Sequence, residues 1–388
     1  MSENDGNETG AARAPESVLY AACDFQRERC PVARDEAHGW TLARHADVER
    51  ALLDHQTFSN RVSNHVSIPN SMDPPGHTPY RRIIERYFTG DLVSAFEPAC
   101  RGIAAALIRS ATAGDARVDL MATVAEPYAA RVQCAFLGWP PHMEDALLAW
   151  AASNQKAIRD SDRDALARNA SAFQEMIARL LQTRRAEQRG PSHDLTTRLL
   201  FEEVDGRRLH DGEIVSILRN WTAGEIGTIS AAVGILAHYF AEHPDLQGVL
   251  RRDPARLPYA IDEILRIRGP LLTNRRITTR AVTMGGREIG PGERVMIAWV
   301  PANRDGRAFA DPLCFRWDRD PGRNLLYGAG VHVCPGAPLA RLELRVLAEE
   351  LLAHTAGIEM IPGQPPEPAS FPAGGFARIP VRMVRAVS

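Results

Sequence analysis

The stretch YGAGVHVCPG, Tyr327–Gly336, sets three glycines, a histidine and one cysteine just ahead of an apolar, arginine-studded segment, LARLELRVLAEELL. A thiolate at the start of a helix is stabilised by exposed backbone N–H groups and the helix dipole. Pro335 and Pro338 suit a first helical turn, and the apolar segment continues the helix. Gly328, Gly330 and Gly336 leave both sides of the turn bare, so a broad planar group can approach it. The cofactor that joins a flat macrocycle to an axial cysteinate is haem. A buried free cysteine in a Gly-rich loop would account for CPG taken alone. A zinc site fits less well, because His332 and Cys334 have no second pair at ligand spacing.

Outward from this loop, helical periodicity dominates. ADVERALLDH, EPACRGIAAALIRSA, SAFQEMIARLLQTRRAEQ and RLELRVLAEELLAH all place apolar residues three or four apart. Strand-like pieces are short: GWTLAR, AVTMGGREI and RVMIAWVPA, the last two expected to form a hairpin through Gly290–Glu293. The longest helix is expected from about Asp211, as N-cap, to His243, where Pro244 ends it. At 1.5 Å per residue it would span on the order of 45 Å, the width of a domain. Gly224, Gly227 and Gly234 interrupt its middle, each costing roughly 1 kcal/mol against alanine. Either something passes close to this backbone or helices pack tightly there. The reading is a mainly α chain with a small β-sheet region: an irregular lead-in over 1–20, then a single domain over 21–388.

Composition excludes little but points away from some classes. A formal net charge of −2 gives no whole-chain case for nucleic-acid binding. No apolar run approaches the ~20 residues of a membrane helix. The N-terminus has neither the basic start nor the apolar middle of a signal peptide, so a cytoplasmic location is expected. The six cysteines (Cys23, Cys30, Cys100, Cys134, Cys314, Cys334) contain no CxxC pair and are expected to be reduced thiols. Lys156 is the only lysine.

The loop resembles the haem-binding segment of the cytochrome P-450 family, Phe-Gly-x-Gly-x-His-x-Cys-x-Gly. Other blocks similar to the family's occur in order: DPPGHTPYRR (Asp73–Arg82), EILR (Glu263–Arg266), and NRD…FADPLCFRWDRD (Asn303–Asp320). The resemblance runs from about Cys30 onward. It implies the cytochrome P-450 fold, with haem b between the long central helix and the helix after the cysteine.

The resemblance also assigns roles. Cys334 is the iron ligand, beside Tyr327, Gly328 and Gly336 of the loop. His77, Arg81, Arg276 and His332 stand at propionate-binding positions. Glu263, Arg266 and Arg319 form a buried structural triad. Thr228 matches the oxygen-activating threonine, in a registration counted back from His243–Pro244. The family's acid before this threonine is here Gly227, so Glu225, one helical turn earlier, or water in the space left by the missing side chain, is expected to supply protons. The substrate pocket is expected to use His65, Val66 and Ile68 of the loop NHVSIPNSMD, then Asn220, Ala223, Gly224, Leu271 and Leu272. Helices between about Met143 and Gln188 are expected as a lid. Tyr327 replaces the family's phenylalanine, and Asn324 stands where many members have a propionate-binding histidine.

The activity that the resemblance implies is that of a haem-thiolate monooxygenase. It would insert one atom of dioxygen into a C–H bond of a small or mid-sized, mostly apolar molecule. Electrons, ultimately from NAD(P)H, would come from a separate ferredoxin-type or other external partner. Arg82, Arg86, Arg341 and Arg345 are candidates for its basic docking face. No membrane or nucleic-acid partner is implied. Three other readings remain open at this point: a peroxygenase, a non-catalytic haem sensor or carrier, and a P-450 catalysing a non-oxygenating rearrangement.

Overall fold

The computed structural model describes residues 15–386 except 37, 64, 65 and 114–116. Helices dominate, and the apolar stripes read from the sequence face inward. His45–Leu53 buries Val48, Ala51 and Leu52. Arg163–Ala186 buries Phe173, Ile177, Leu180 and Leu181. The helix expected over 97–111 begins earlier, at Gly90, and runs through Pro98 to Ala111. The cysteine helix, Ala337–His354, packs along it and buries Leu344, Leu347 and Leu351 in the main core. A helix over Pro15–Arg29 begins inside the segment expected to be irregular. It carries Tyr20 into a small cluster with Leu272 and Val300.

The central helix is not one uniform rod. It runs as α-helix from Asp211 to Gly224, as a five-residue π turn over Glu225–Ile229, and again as α-helix from Ser230 to Glu242. Its N-cap is His210, not Asp211. His210 Nδ1 accepts the Glu213 N–H at 3.3 Å, and the Glu213 carboxylate accepts the His210 N–H at 2.9 Å. This is a capping box that uses an imidazole in place of the usual hydroxyl.

The three glycines of this helix serve different ends. A Cβ on Gly234 would meet Met121 Sδ at 2.5 Å and Ile379 Cδ1 at 3.2 Å, so close packing requires glycine there. A Cβ on Gly224 or Gly227 would meet nothing within 4 Å. These two face open space.

The largest sheet has five strands, ordered Val32–Asp35, Gly39–Leu42, Arg294–Ala298, Thr273–Thr278 and Phe58–Ser59. The expected hairpin through Gly290–Glu293 does not form. Val282–Met284 instead turns back on Arg287–Ile289 through Gly285 and Gly286, both at positive φ, the conformation a two-residue hairpin loop demands. Arg294–Ala298 is thereby left to pair on both sides, parallel to Gly39–Leu42 and antiparallel to Thr273–Thr278. A second sheet orders Thr355–Met360, Pro380–Arg385 and Arg117–Asp119.

Among the described residues, no helix is long and apolar enough to cross a membrane. Lys156 lies on the helix Glu144–Arg159, well exposed and paired with Asp160.

Candidate active site

Cys334 closes the loop that precedes its helix. Its N–H donates to Tyr327 O at 2.8 Å, and the N–H groups of Gly336 and Ala337 point at the sulfur. Burial raises the thiol pKa, and these N–H groups and Arg81 pull it back down. The glycines of the loop divide their work. Gly328 adopts φ +73° and lines the cavity above the sulfur. Gly330, at φ +69°, is fixed by packing, since a Cβ there would sit 2.4 Å from Leu52 O. Gly336 lines the cavity in an ordinary conformation.

That cavity holds about 1890 Å³ of space free of protein atoms, part of it open to solvent. Cys334, Gly336 and Leu339 form one wall; Gly224, Glu225, Thr228 and Ala232 of the central helix contribute another. The Thr228 hydroxyl donates to Gly224 O at 2.6 Å, which leaves its lone pairs free. Gly227 lies within the π turn and is not among the cavity-lining residues, so the expected acid position is not part of the wall.

A cluster of basic side chains, two histidines and two arginines, lines the cavity. The rings of His77 and His332 lie 4.6 Å apart, and both Nε2 atoms are buried without a hydrogen-bond partner among the described residues, with Asp73 Oδ1 4.0 Å from His332 Nε2. Arg276 is buried with one partner, its neighbour's carbonyl, Arg275 O at 2.7 Å. Arg81 reaches the same wall while pairing with Glu85 at 2.7 Å. Burial drives the Arg276 guanidinium down to about 10. Burial, His77 and Arg276 drive His332 down to about 3, and burial also lowers His77. Buried donors without acceptors cost free energy that an anionic group would recover. The donor set therefore fits haem: one sulfur at a helix N-terminus, a broad slot, and buried donors suited to two carboxylates.

The loop is held from behind by Glu263, Arg266 and Arg319. Arg266, 1% exposed, meets Glu263 in two bonds of 2.7 and 3.0 Å, and Arg319 Nε donates to Glu263 at 2.6 Å. The remaining guanidinium donors bind Asn303 O, Pro312 O, Ala310 O, Asp311 O and Cys314 O. Every charge is thus used to fix the meander leading to Cys334. Asn324 lies off the cavity; it bonds Asp262 O at 3.0 Å and accepts Leu326 N at 2.9 Å.

The expected pocket residues scatter. Asn220, Gly224 and Leu271 line the cavity. Leu272 is turned away, into the cluster with Tyr20, because its backbone pairs with Pro372. Val66 is 58% exposed, and neither Ile68 nor Ala223 lines the cavity. His65 lies outside the described residues. Asn220 acts as a clasp: Oδ1 accepts Ser67 Oγ and Nδ2 donates to Ile68 O, both at 2.7 Å, while Ser216 Oγ takes Ile68 N at 2.8 Å. The expected lid segment forms two helices, Glu144–Arg159 and Arg163–Ala186, and no described residue of either lines the cavity.

The basic face expected for a redox partner is largely neutralised within the fold. Arg86 pairs with Glu202, Arg341 with Asp262 at 3.3 Å, and Arg345 with Glu97 and Glu349 at 2.6 and 2.8 Å. Arg82 is exposed and has no ion pair among the described residues.

Glu343, on the cysteine helix, does not stand out in the sequence as a site residue, yet it is 0% exposed. Its signal is positional: it lies four residues from both Leu339 and Leu347, on the apolar face.

Comparisons with known proteins agree with this geometry. The sequence model of the Cytochrome P450 family matches residues 151–383. The erythromycin C-12 hydroxylase of Saccharopolyspora erythraea is 35% identical over 354 residues, covering 88% of each chain. The cyclomarin C epoxidase of Salinispora arenicola is 33% identical over 349 residues, 86% of this chain and 88% of its own. The ligand-free structure of cytochrome P450 TbtJ1 superposes with a TM-score of 0.87 at 31% identity, covering 96% of this chain and 100% of its own. A mutant of P450 EryK in complex with erythromycin B gives 0.85 at 30% identity, over 95% and 97%.

Proposed function

The chain belongs to the cytochrome P450 family, and from that premise we propose which of its residues run a monooxygenase reaction and on what kind of molecule. It is an oxidoreductase that uses haem iron, a cysteine thiolate and dioxygen. The observation that carries the residue assignment is that Cys334, Thr228 and Glu225 line one cavity together with the buried basic side chains His77, Arg276 and His332.

Cys334 would hold the iron, and His77, Arg81, Arg276 and His332 would hold the propionates. The bound haem supplies dioxygen activation and atom transfer. This chain's residues do the rest. The Glu263–Arg266–Arg319 triad keeps the cysteine loop in register. Thr228 offers free lone pairs at the cavity wall, and Glu225 holds a proton one turn away. Asn220 positions the Ser67–Ile68 loop rather than contacting substrate.

The substrate class is a mid-sized natural product with scattered polar groups. Asn70, Gln133 and Asn274 stand among apolar neighbours on the cavity wall, and relatives are named for erythromycin and cyclomarin C. Electrons come from an external iron–sulfur or flavin protein fed by NAD(P)H.

The test has two stages. Ferric protein is titrated with macrolides, cyclic peptides, terpenes and fatty acids while its spin state is followed. Ligands that shift it are then incubated with a ferredoxin and its reductase, and products are identified by mass. Products one oxygen heavier, abolished by Cys334→Ser, are expected. Tight ligand binding with no product from any partner would favour a carrier instead.

A further inference from the structure

Two buried acids meet beneath the π turn. Glu343 presents both carboxyl oxygens to the interior, and neither has a hydrogen-bond donor. Glu225 opens the π turn on the cavity wall, and its Oε1 is likewise buried without a donor. Of the two tyrosine hydroxyls in this region, Tyr128 Oη donates to the Glu343 backbone carbonyl at 2.8 Å and touches Cys100 Sγ at 3.0 Å, and Tyr327 Oη is buried with no partner among the described residues. The two carboxyl groups lie close enough for each to act on the other's titration.

The groups around the pair are Cys100 from the helix Gly90–Ala111, Tyr128 from Glu126–Leu137, and Tyr327 and Cys334 from the cysteine loop. None is a cation. Two adjacent carboxylates with buried oxygens and no cation beside them cannot both stay ionised, because desolvation and mutual repulsion act in the same direction. Two acceptors can satisfy each other only when a proton lies between them.

We propose that Glu225 and Glu343 are a proton-sharing carboxyl pair, which keeps one proton near neutral pH and yields a second to the cavity wall beside Thr228. Only the fate of that second proton rests on the monooxygenase reading. Burial raises both acids: Glu225 to about 7, with the hydrogen bond from Glu343 acting against the rise, and Glu343 further up.

The step is a proton transfer between oxygens, with no change of electron count. The doubly protonated, neutral pair loses the Glu225 proton to a water or to the Thr228 hydroxyl oxygen. What remains is a monoanion in which Glu343 O–H donates to the Glu225 carboxylate. A proton from cavity water restores the neutral pair. Losing the first proton is easy because the anion is hydrogen-bonded; losing both would leave two unpaired buried charges. Glu343 is therefore a positioning residue, acting through Glu225.

Infrared difference spectra of resting ferric holoprotein, taken between pH values and between wild type and variant, test this without turnover. A protonated-carboxyl C=O band that persists above about pH 8 and vanishes in Glu343→Gln is expected, with a second band titrating near 7 that vanishes in Glu225→Gln. If Glu343→Gln fails to fold, Glu225→Gln still decides: the persistent band should remain and shift in frequency on losing its partner. Absence of any persistent carboxyl band in the wild type, or a band indifferent to Glu225→Gln, would overturn the pair. Neither result bears on whether oxygenated product forms, which the spin-shift and product assays decide separately.

Discussion

The imidazole rings of His77 and His332 meet edge to face, 4.6 Å apart at an interplanar angle of 62°, each with a buried, unpartnered Nε2. One comes from a helix N-terminus and the other from the cysteine loop, so they join only on folding. Each can donate to a carboxylate, a bond worth roughly 1.5–3 kcal/mol when the acceptor is charged. His332→Ala should speed haem loss by roughly ten- to a hundredfold, read by transfer to an apo-globin acceptor. Unaltered haem retention would remove His332 from the propionate set.

The Glu263–Arg266 pair predicts a stability effect rather than a chemical one. Both side chains are nearly inaccessible, and five carbonyls depend on Arg266 and Arg319. Breaking such a pair on one side typically costs roughly 3–5 kcal/mol. Glu263→Gln should therefore lower the thermal midpoint sharply. Arg266→Lys should lower it too, because lysine cannot make the forked contact. Calorimetry of the two variants checks both statements.

Gly234 and Gly227 should respond oppositely to alanine. Gly234→Ala drives a methyl into Met121 and Ile379, an overpacking cost of roughly 1–3 kcal/mol. Gly227→Ala meets nothing, so helix propensity should leave it neutral or up to about 1 kcal/mol more stable. Urea midpoints of the two variants separate close packing from open space.

The raised Glu225 pKa fixes the sign of a pH dependence. Its folded value lies above the ordinary 4.5, so the folded state binds more protons than the unfolded one between about 4.5 and 7. Stability from this group is fully present below 4.5, falls as pH rises to about 7, and is level above. The total loss is on the order of a few kcal/mol. Glu225→Gln should flatten that part of the denaturation profile; an unchanged slope would mean that Glu225 is solvated.

Internal pairing of Arg86, Arg341 and Arg345 changes the expectation for electron delivery. Cations already held by carboxylates project little field toward a partner. Reduction by an acidic ferredoxin should weaken only slightly with added salt, and Arg82→Ala should remove most of the dependence that exists. A steep salt dependence that survives Arg82→Ala would mean that the paired arginines still steer docking.

The site is legible where its logic is local. Cys334, His332 and the glycines stand in one short segment, and backbone geometry alone explains Gly328. Glu263 and Arg266 are three apart on one helix, so their pairing can be read, although their burial comes from a distant meander. Glu343 is marked in the sequence only by its place on the apolar face between Leu339 and Leu347, and its nearness to Glu225, on a distant helix, is not legible there. Leu271 and Leu272 divide between cavity and core according to a backbone bond to Pro372, which no local pattern encodes. The expected hairpin fails for a similar reason: Gly285–Gly286 offers a tighter turn than Gly290–Glu293, and Arg294–Ala298 has better partners elsewhere.

The solitary lysine on the helix Glu144–Arg159 gives the molecule an addressable point. Its ammonium is exposed, bound only to its helical neighbour Asp160, and lines no part of the cavity. Amine-directed coupling would therefore attach the protein to a bead or an electrode through Lys156 and the chain's own α-amine alone. A surface loaded in this way would hold the protein by one of two points, with the arginine-rich remainder left chemically untouched.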